Sequence, residues 1–503
     1  MAHSKAAKKR KQSVQADQPR KAAKTAPTAA TRTPPDSDDN GATALEPSNL
    51  HSVISNEELE IAVETLSTLA KHPGLIKAKQ CKDLRAAVFD FRQSCTSGVN
   101  NAAGTSLGLT ARVTGALTDE KYDDARILLV EMRIRGQEPK LGALCRWVRD
   151  LDVISGLSTC PDGDNGAAVY ERSERDKQRL LVLDAVLRAC GHSDSNPHAL
   201  PLPLSAVPGI AVQEIWDLHP PSSLPSTLLQ TYASVLDRRI FDSAPRDLAS
   251  FLRVIERTPG PQRKPPNHHD ALLYTTEPGT IPLAAQDTRT PVEKHAHPVV
   301  PGLSLLKGLL SPDECTSIIA AGEMVGFLPD APLREDGDVS ILAHNFYWVV
   351  DQAFHDALWA RIRELVPASV GGRAAHGLNR RFRVYRYVPG AEYRAHIDGA
   401  WPPSGIRPDD GYVYDASEGK QSSLFTFLIY LNDEFEGGET TYFLPAARDG
   451  TLNAYPVRPI MGAAALFPHG DARDAPLHEG TGVRKGAKYV IRTEVEYDIK
   501  PSL

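Results

Sequence analysis

The spacing of apolar residues changes once along the chain, from a helical period to a strand period. Up to about residue 258, apolar side chains recur every three or four positions, as at Leu59 and Val63, which predicts amphipathic helices. Ser55, followed three residues later by Glu58, resembles a capping box and predicts where the first helix begins. We therefore expect an α-helical domain over residues 49–258.

Further helices in this half follow from the same periodicity. Pro- and Ser-rich sequence over residues 192–225 predicts a loop, after which helix is expected to resume to about residue 256. The other predicted helices begin near Lys82, Asp119, Leu141 and Ser173.

From Pro301 the pattern becomes mixed. Two amphipathic helices are predicted, beginning near Ser311 and Asp351. After Asn379 the period is two, in runs such as RFRVYRYV, SLFTFLIYL and KYVIRTEVEY, and Pro-Gly, Asn-Asp and Gly-Gly separate the predicted strands. Helices followed by many antiparallel strands indicate an α+β domain with a sandwich or barrel core over residues 301–503.

Two segments show neither period. Residues 1–48 contain almost no large apolar side chains, so we expect a disordered tail. Its first 32 residues hold nine Lys or Arg and one acidic residue, which fits a nuclear localisation signal and equally a solvated basic tail. Residues 259–300 are Pro-rich and are predicted to be a linker, with one strand near residues 271–274.

Composition narrows the class of protein. The 503 residues are 41% apolar and 24% charged, which is ordinary for a globular protein of two or three domains. A net charge of -6 gives no general attraction to nucleic acid, and the six cysteines show no CxxC spacing. Sparse cysteines, the lack of an apolar leader and the absence of a long apolar run predict an intracellular protein of the nucleus or cytoplasm with no membrane partner.

One motif in the strand-rich half suggests a metal site. His396 and Asp398 are two residues apart, so on a strand they share a face. Two histidines and one carboxylate form the facial triad of non-haem Fe(II) oxygenases, so a further histidine is required. His469 and His478 both follow downstream, and we predict His478 as the third ligand and place His469 in a loop.

A basic pair follows the predicted third ligand. Lys488 opens a strand about ten residues after His478, and Arg492 lies on the same face of that strand. A cation beside the metal would hold the remote carboxylate of an acidic cosubstrate. The alternative is an exposed charged face that both residues share with Glu494 and Glu496.

The order and spacing of four segments carry a family resemblance. RFRVYRYVPGAEYRAHIDG is followed by TFLIYLNDEFEGGETTYF, PIMGAAALF and HEGTGVRKGAKYVIRT. Together, from about Pro301 to Tyr497, they resemble the prolyl 4-hydroxylase-type 2-oxoglutarate/Fe(II) dioxygenases. The resemblance implies a double-stranded β-helix, or jelly roll, with buttressing helices, preceded here by the helical N-terminal region.

The same resemblance implies the cofactors and the residues that hold them. His396, Asp398 and His478 match the iron ligands of the family, which uses Fe(II), 2-oxoglutarate and O2, with ascorbate as a reductant. Lys488 matches the residue that holds the far carboxylate of 2-oxoglutarate. Arg492, on the same face, is the second candidate for this role.

Four further residues are candidates for contact with the cosubstrate. Tyr387 and Tyr393 match aromatic positions of the family, although Tyr393 points away from His396 unless the strand has a bulge or twist. Thr426 and Tyr430 share one face of the next strand and are expected to line the same pocket. Burial in the core is the alternative for the tyrosines.

These features favour a dioxygenase that hydroxylates an unactivated C–H bond and releases succinate and CO2. Prolyl residues of a protein or peptide are the substrate that the resemblance implies. The same chemistry on a nucleobase or a free amino acid is an alternative, in which the basic tail would help to dock nucleic acid. A helical scaffold with a sensor-like oxygenase domain is the third hypothesis. The sequence determines neither the oligomeric state nor the role of the helical half.

Overall fold

A computed structural model describes residues 54–96, 108–158, 172–220, 230–242, 248–263, 266–285, 290–330, 343–407, 411–472 and 474–500. The basic N-terminal tail, with the disorder and the nuclear signal predicted for it, lies outside these residues. In the part of the chain that is described, no helix combines the length and the apolar character needed to cross a membrane.

The first half of the described chain is helical, as the periodicity predicts. Ser55 caps the first helix: its hydroxyl accepts from the Glu58 N–H at 3.2 Å, and the Glu58 carboxylate accepts from the Ser55 N–H at 3.1 Å, which confirms the predicted capping box. The helices are α1 (Asn56–Ala70), α2 (Pro73–Ile76), α3 (Lys82–Thr96), α4 (Leu109–Thr118), α5 (Tyr122–Ile134), α6 (Leu141–Asp150) and α7 (Glu174–Ala189).

The second half of the described chain consists mainly of strands. In chain order the elements are β1 (Gly209–Val212), α8 (Gln230–Leu236), β2 (Leu252–Thr258), β3 (Ala271–Thr276), β4 (Glu293–Ala296), β5 (Ser304–Lys307), α9 (Pro312–Val325), β6 (His344–Val349), α10 (Gln352–Ile362), β7 (Ser369–Val370), β8 (Arg373–Leu378), β9 (Arg381–Tyr387), β10 (Tyr393–His396), β11 (Gly405–Ile406), β12 (Tyr412–Val413), β13 (Gln421–Tyr430), β14 (Glu436–Gly437), β15 (Thr440–Pro445), β16 (Thr451–Val457), β17 (Ala464–Pro468), β18 (Leu477–Gly480), β19 (Val483–Lys485) and β20 (Lys488–Asp498).

Two sheets face each other and form the jelly roll. The larger sheet has the order β2-β3-β6-β9-β20-β13-β17-β5-β4, and the smaller sheet has the order β1-β16-β15-β18-β10. One buried cluster joins their inner faces: it includes Tyr430 and Val490 from the larger sheet and Tyr442 and Leu444 from the smaller sheet. The expected α+β fold with a double-stranded β-helix is confirmed.

Helices cover the outer face of each sheet. A cluster containing Ile319 of α9 and Leu358 of α10 packs against the larger sheet. Helices α4 to α7 cover the smaller sheet through a second cluster, in which Leu183 packs in one core with Phe443 and Leu477. Fully burying such a side chain is worth about 1.5–3 kcal/mol, so this helical layer is part of the folded oxygenase half.

Three regions differ from the predicted secondary structure. β1 lies in the segment that was expected to be a loop, and β2 lies where a helix was expected. β3 and β4 lie in the expected linker over residues 259–300. β1 pairs in parallel with β16, β3 pairs with β2 and β6, and β4 pairs with β5. The pairings of β1 with β16 and of β3 with β6 join residues far apart in sequence, which local periodicity does not register. The strand predicted near residues 271–274 is present as β3.

Candidate active site

The candidate site lies between the sheets, where β10 and β18 run side by side. His396 ends β10, Asp398 follows two residues later, and His478 lies on β18. His396 and His478 are register partners, so their side chains leave the smaller sheet next to each other. The centroids of the two imidazole rings are 4.3 Å apart.

The three predicted metal ligands surround a single point. Asp398 Oδ1 lies 3.3 Å from His396 Nε2, and Asp398 Oδ2 lies 3.6 Å from His478 Nε2. One candidate ligand atom from each residue lies within 4.8 Å of the others. Among the described residues no other trio of His, Cys, Asp or Glu has this arrangement.

Backbone carbonyls fix the tautomers of both histidines. His396 Nδ1 lies 2.7 Å from the Arg394 carbonyl oxygen, and His478 Nδ1 lies 3.1 Å from the Pro476 carbonyl oxygen. Because a carbonyl only accepts, each Nδ1 carries a proton, and each Nε2 faces Asp398 as the candidate ligand atom. Burial lowers the pKa of His478 to about 3, which favours the neutral form that a metal needs.

The carboxylate of Asp398 is buried and held in its charged form. Burial raises the pKa of Asp398, but the Arg492 guanidinium and the two imidazoles outweigh this effect and hold the pKa well below its usual range. Arg492 Nη2 lies 3.1 Å from Asp398 Oδ1, and the Thr426 hydroxyl lies 2.6 Å from Asp398 Oδ2. An ionised carboxylate between two imidazoles is a donor set suited to a divalent iron ion.

His469, which the sequence analysis placed in a loop, is fully buried directly after β17 and belongs to the surroundings of the triad. His469 Nδ1 lies 2.7 Å from Thr426 Oγ1, and His469 Nε2 lies 2.8 Å from Ser423 Oγ. Because ionised Asp398 can only accept, Thr426 donates to it and accepts from His469. Ser423 then donates to His469 Nε2, and this directional chain of hydrogen bonds orients Asp398.

Nothing local in the sequence FPHGD announces the role of His469. Its imidazole reaches Thr426 because β17 pairs with β13, where Thr426 is the register partner of Phe467. Burial lowers the pKa of His469 to about 3, so the ring stays neutral and can both donate and accept.

The other end of the pocket holds Lys488. Its side chain is buried, and its ammonium donates to the Gly438 carbonyl at 2.6 Å. The Tyr387 and Tyr430 rings lie 5.4 and 5.7 Å from Nζ, and the Tyr430 hydroxyl donates to Thr440 Oγ1 at 2.9 Å. Burial lowers the pKa of Lys488 to about 8. A buried ammonium among hydroxyl and aromatic groups is a site for a small carboxylate.

Arg492 occupies a different position. It lies four residues beyond Lys488, about 13 Å along the strand. Its guanidinium lies 3.1 Å from Asp398 and 3.3 Å from Glu494, next to the triad. Glu494 and Glu496 are only 5% and 2% exposed, so the alternative of an exposed charged face is wrong.

Aromatic side chains of β9 and β10 form one wall of the site. The register of β10 shifts between Tyr393 and His396, which is the bulge that placing both in the pocket requires. Their ring centroids are 4.5 Å apart. The sequence analysis missed Tyr385, which shares a face of β9 with Tyr387 and whose buried hydroxyl has no hydrogen-bond partner among the described residues.

Together these groups line an open pocket of about 430 Å³. Eight of the nine predicted site residues line it, and Tyr430 contacts it through Thr440. The lining residues are Tyr385, Tyr387, Tyr393, His396, Asp398, Thr426, Leu428, Thr440, Phe467, His478, Gly480, Lys488, Val490 and Arg492.

The sequence matches a known family over the segment that builds this pocket. Residues 382–493 match the model of the 2OG-Fe(II) oxygenase superfamily. A probable prolyl 4-hydroxylase 9 of Arabidopsis thaliana is 32% identical over 123 residues, which are 22% of this chain. The chain spans 38% of the length of that relative.

Solved structures give likenesses of lower identity. A viral collagen prolyl hydroxylase from Paramecium Bursaria Chlorella virus-1 has 18% identity and a TM-score of 0.26, covering 39% of this chain and 97% of its own. A Pseudomonas putida prolyl-4-hydroxylase has 20% identity and a TM-score of 0.24, covering 39% and 91%. A Trichoplax adhaerens prolyl hydroxylase, solved with a hypoxia inducible factor peptide, has 16% identity and a TM-score of 0.28, covering 39% and 83%.

The match over residues 382–493 includes the three predicted metal ligands, His396, Asp398 and His478, and also Lys488 at the far end of the pocket. Over this segment the chain is therefore similar to the 2OG-Fe(II) oxygenase superfamily, and a probable prolyl 4-hydroxylase is among the proteins that it resembles.

Proposed function

We propose that this protein is an Fe(II)- and 2-oxoglutarate-dependent dioxygenase that hydroxylates an unactivated C–H bond in a prolyl or other residue of an intracellular protein. One observation carries the proposal. Two imidazoles and a carboxylate converge on one point, and a buried lysine lies at the other end of the same pocket.

The residues around that point fit an iron ion. His396 Nε2, His478 Nε2 and one oxygen of Asp398 would hold it and leave its other coordination positions facing the pocket. When bound, Fe(II) supplies the O2-dependent oxidative decarboxylation of 2-oxoglutarate to succinate and CO2 that is coupled to substrate hydroxylation. Ascorbate would serve as the external reductant.

The protein binds and orients the reactants. Lys488 would hold the far carboxylate of 2-oxoglutarate, and the rings of Tyr387 and Tyr430 beside it restrict where that carboxylate lies. Thr426 and Arg492 keep the Asp398 carboxylate charged and fixed. Phe467 and Val490 contribute apolar surface to the lining, which disfavours water there.

A protein or peptide substrate suits this pocket because one side of the pocket is open to solvent. His396 lies at the accessible side, where its side chain is 27% exposed, so a side chain presented from outside would reach the metal point. The similar proteins described above are named as prolyl hydroxylases, and one of them was solved with a peptide. We infer a prolyl residue as the first substrate to test.

The experiment that tests the function measures succinate formed from 2-oxoglutarate, Fe(II), ascorbate and O2. Wild type is compared with His396→Ala and with His376→Ala, a matched histidine that is partly exposed and pairs with Asp498 away from the site. We expect succinate from wild type and His376→Ala and none above background from His396→Ala. Equal amounts from all three proteins, or failure of the wild type to bind Fe(II) and 2-oxoglutarate, would overturn the proposal in favour of a protein-binding scaffold.

A further inference from the structure

The loop that follows α6 crosses the outer face of the smaller sheet at the strands that bear the two histidines. This α6 loop comprises residues 151–158 and belongs to the helical layer of the N-terminal half. Leu151 and Ile154 are fully buried in the same core as Ala395, Ile397 and Leu477. The loop therefore packs behind His396 and His478 from the side opposite the pocket.

Asp152 organises the loop and connects it to β10. Its Oδ1 accepts from the N–H groups of Ile154 and Ser155 at 3.1 Å each. Its Oδ2 accepts from the Ser155 hydroxyl at 2.7 Å and from Arg394 Nε at 2.9 Å. The Asp152 side chain is only 5% exposed, so the carboxylate of this pair is buried, while the Arg394 side chain is 35% exposed.

Ser155 supplies a partner to the backbone of β10 beside the iron ligand. β10 is the last strand of the smaller sheet as described, and its register shifts just before His396. The N–H of Ala395 donates to Ser155 Oγ at 2.8 Å. A backbone donor at an irregular sheet edge needs such a partner, and here the helical layer provides it.

These contacts act on the group that sets the tautomer of His396. The Arg394 carbonyl accepts from His396 Nδ1, while the Arg394 side chain is held by Asp152 and the following N–H by Ser155. The peptide group between Arg394 and Ala395, whose carbonyl orients the imidazole, is thus held by the α6 loop through both the Arg394 side chain and the Ala395 N–H. Its displacement would turn Nε2 away from the metal point.

The same loop reaches the strand of the other histidine. Glu479 follows His478 on β18, points to the outer face and is 1% exposed. Its carboxylate accepts from the Gly156 N–H at 3.1 Å and from the Ser158 hydroxyl. Gly156 has a φ of +75°, a backbone conformation that favours glycine at this turn.

We propose that the α6 loop is a positioning element for the iron site, in which Asp152, Ser155 and Ser158 set the geometry of His396 and His478 through the backbone of β10 and β18. The inference rests on the proposed function. It gives the helical half a role in catalysis: metal affinity and ligand geometry depend on residues more than 200 positions away from the ligands in the sequence.

A contact elsewhere in the helical layer provides the matched control. Asp184 of α7 is 2% exposed and accepts from the Arg188 Nε and the Gly450 N–H, both at 2.9 Å. This contact joins the helical layer to the turn between β15 and β16, and neither partner adjoins an iron ligand. Asp184→Asn therefore removes a buried carboxylate from the same helical layer and leaves the contacts of His396 and His478 unchanged.

The test is a Co(II) titration of the full chain, followed by the ligand-field absorption of the bound metal. Asp152→Asn is expected to weaken Co(II) binding about tenfold and to change the spectrum, as loss of an outer hydrogen-bonding partner does at metal sites. Asp184→Asn is expected to lower the Tm and to leave Co(II) affinity and spectrum as in wild type. Ser155→Ala removes only a hydroxyl and covers the case in which Asp152→Asn does not fold, whereas Ser155→Thr keeps the hydroxyl and should bind as wild type does.

Two results would count against the inference in different ways. Wild-type Co(II) affinity and spectra in both Asp152→Asn and Ser155→Ala would overturn it and leave the loop as a packing element. Lack of Co(II) binding by the wild type, or undiminished binding by His396→Ala, would overturn the proposed metal site itself, and the positioning role with it.

Discussion

The Thr426 hydroxyl donates to Asp398 Oδ2 at 2.6 Å, and Thr426 Oγ1 accepts from His469 Nδ1 at 2.7 Å. One side chain of the larger sheet thereby fixes a carboxylate that follows a strand of the smaller sheet. Asp398 lies beyond the end of β10, and its carbonyl accepts from the Gly470 N–H at 3.1 Å. The orientation of this proposed iron ligand therefore depends on a side chain of the facing sheet.

Replacing Thr426 by valine tests this contact. Thr426→Val keeps the shape but removes the donor to Asp398 and leaves the His469 N–H without its acceptor, so we expect Fe(II) affinity to fall about tenfold. Anaerobic Fe(II) titration measures this. Thr441→Val is the control, because Thr441 is equally buried and its hydroxyl has no hydrogen-bond partner among the described residues. Equal affinities in the two variants would contradict the assignment.

Lys488 and Arg492 can be separated by their effects on the cosubstrate. Lys488→Met removes the ammonium at the far end of the pocket, and loss of a charge-assisted hydrogen bond of about 1.5–3 kcal/mol should raise the Kd for 2-oxoglutarate roughly 10- to 150-fold. Arg492→Met should instead weaken metal binding, because Arg492 contacts Asp398. Titration of each variant with 2-oxoglutarate and with Fe(II) measures both constants, and the reverse pattern would make Arg492 the anchor.

The affinity for 2-oxoglutarate should depend on pH through Lys488. Burial lowers the pKa of this lysine from 10.5 to about 8 in the free protein, so it loses its proton as the pH rises through about 8. Only the ammonium attracts the carboxylate, so kcat/KM for 2-oxoglutarate should fall above about pH 8, by up to tenfold per unit. The measurement is a pH profile of wild type and Lys488→Arg. Because arginine stays charged, the variant should lose this fall, and an unchanged profile would assign the titration to another group.

Metal binding should stabilise the folded protein through the triad. A ligand at 100 times its Kd adds about 2.7 kcal/mol to the free energy of unfolding, so Co(II) should raise the Tm of the chelator-treated wild type. His478→Ala lacks one of the three donors and should show little or none of this increase. Thermal unfolding with and without Co(II) provides the comparison. The same increase in both proteins would show that the metal binds elsewhere.

Local sequence signals predicted those features that depend on neighbouring residues. The alternation in RFRVYRYV predicted β9, and the strand-like runs SLFTFLIYL and KYVIRTEVEY predicted β13 and β20. Ser311 with Glu314 forms a capping box at the predicted start of α9. The spacing of two between His396 and Asp398, and of four between Lys488 and Arg492, predicted that each pair shares one face, because a strand repeats every two residues.

Only the tertiary structure decided which of these residues meet. A strand was predicted near residues 271–274, where β3 lies, but its parallel pairing with β6 joins residues that no short window contains. His469 acts on Asp398 through the register of β17 with β13, and Asp152 reaches Arg394 across 242 positions of sequence. The sequence by itself determined the elements, the candidate ligands and the faces they occupy, since these follow from local backbone geometry. The packing of the two sheets and the helical layer decided the tautomers, the charges and the hydrogen-bond partners, because burial and long-range contact exist only in the folded chain.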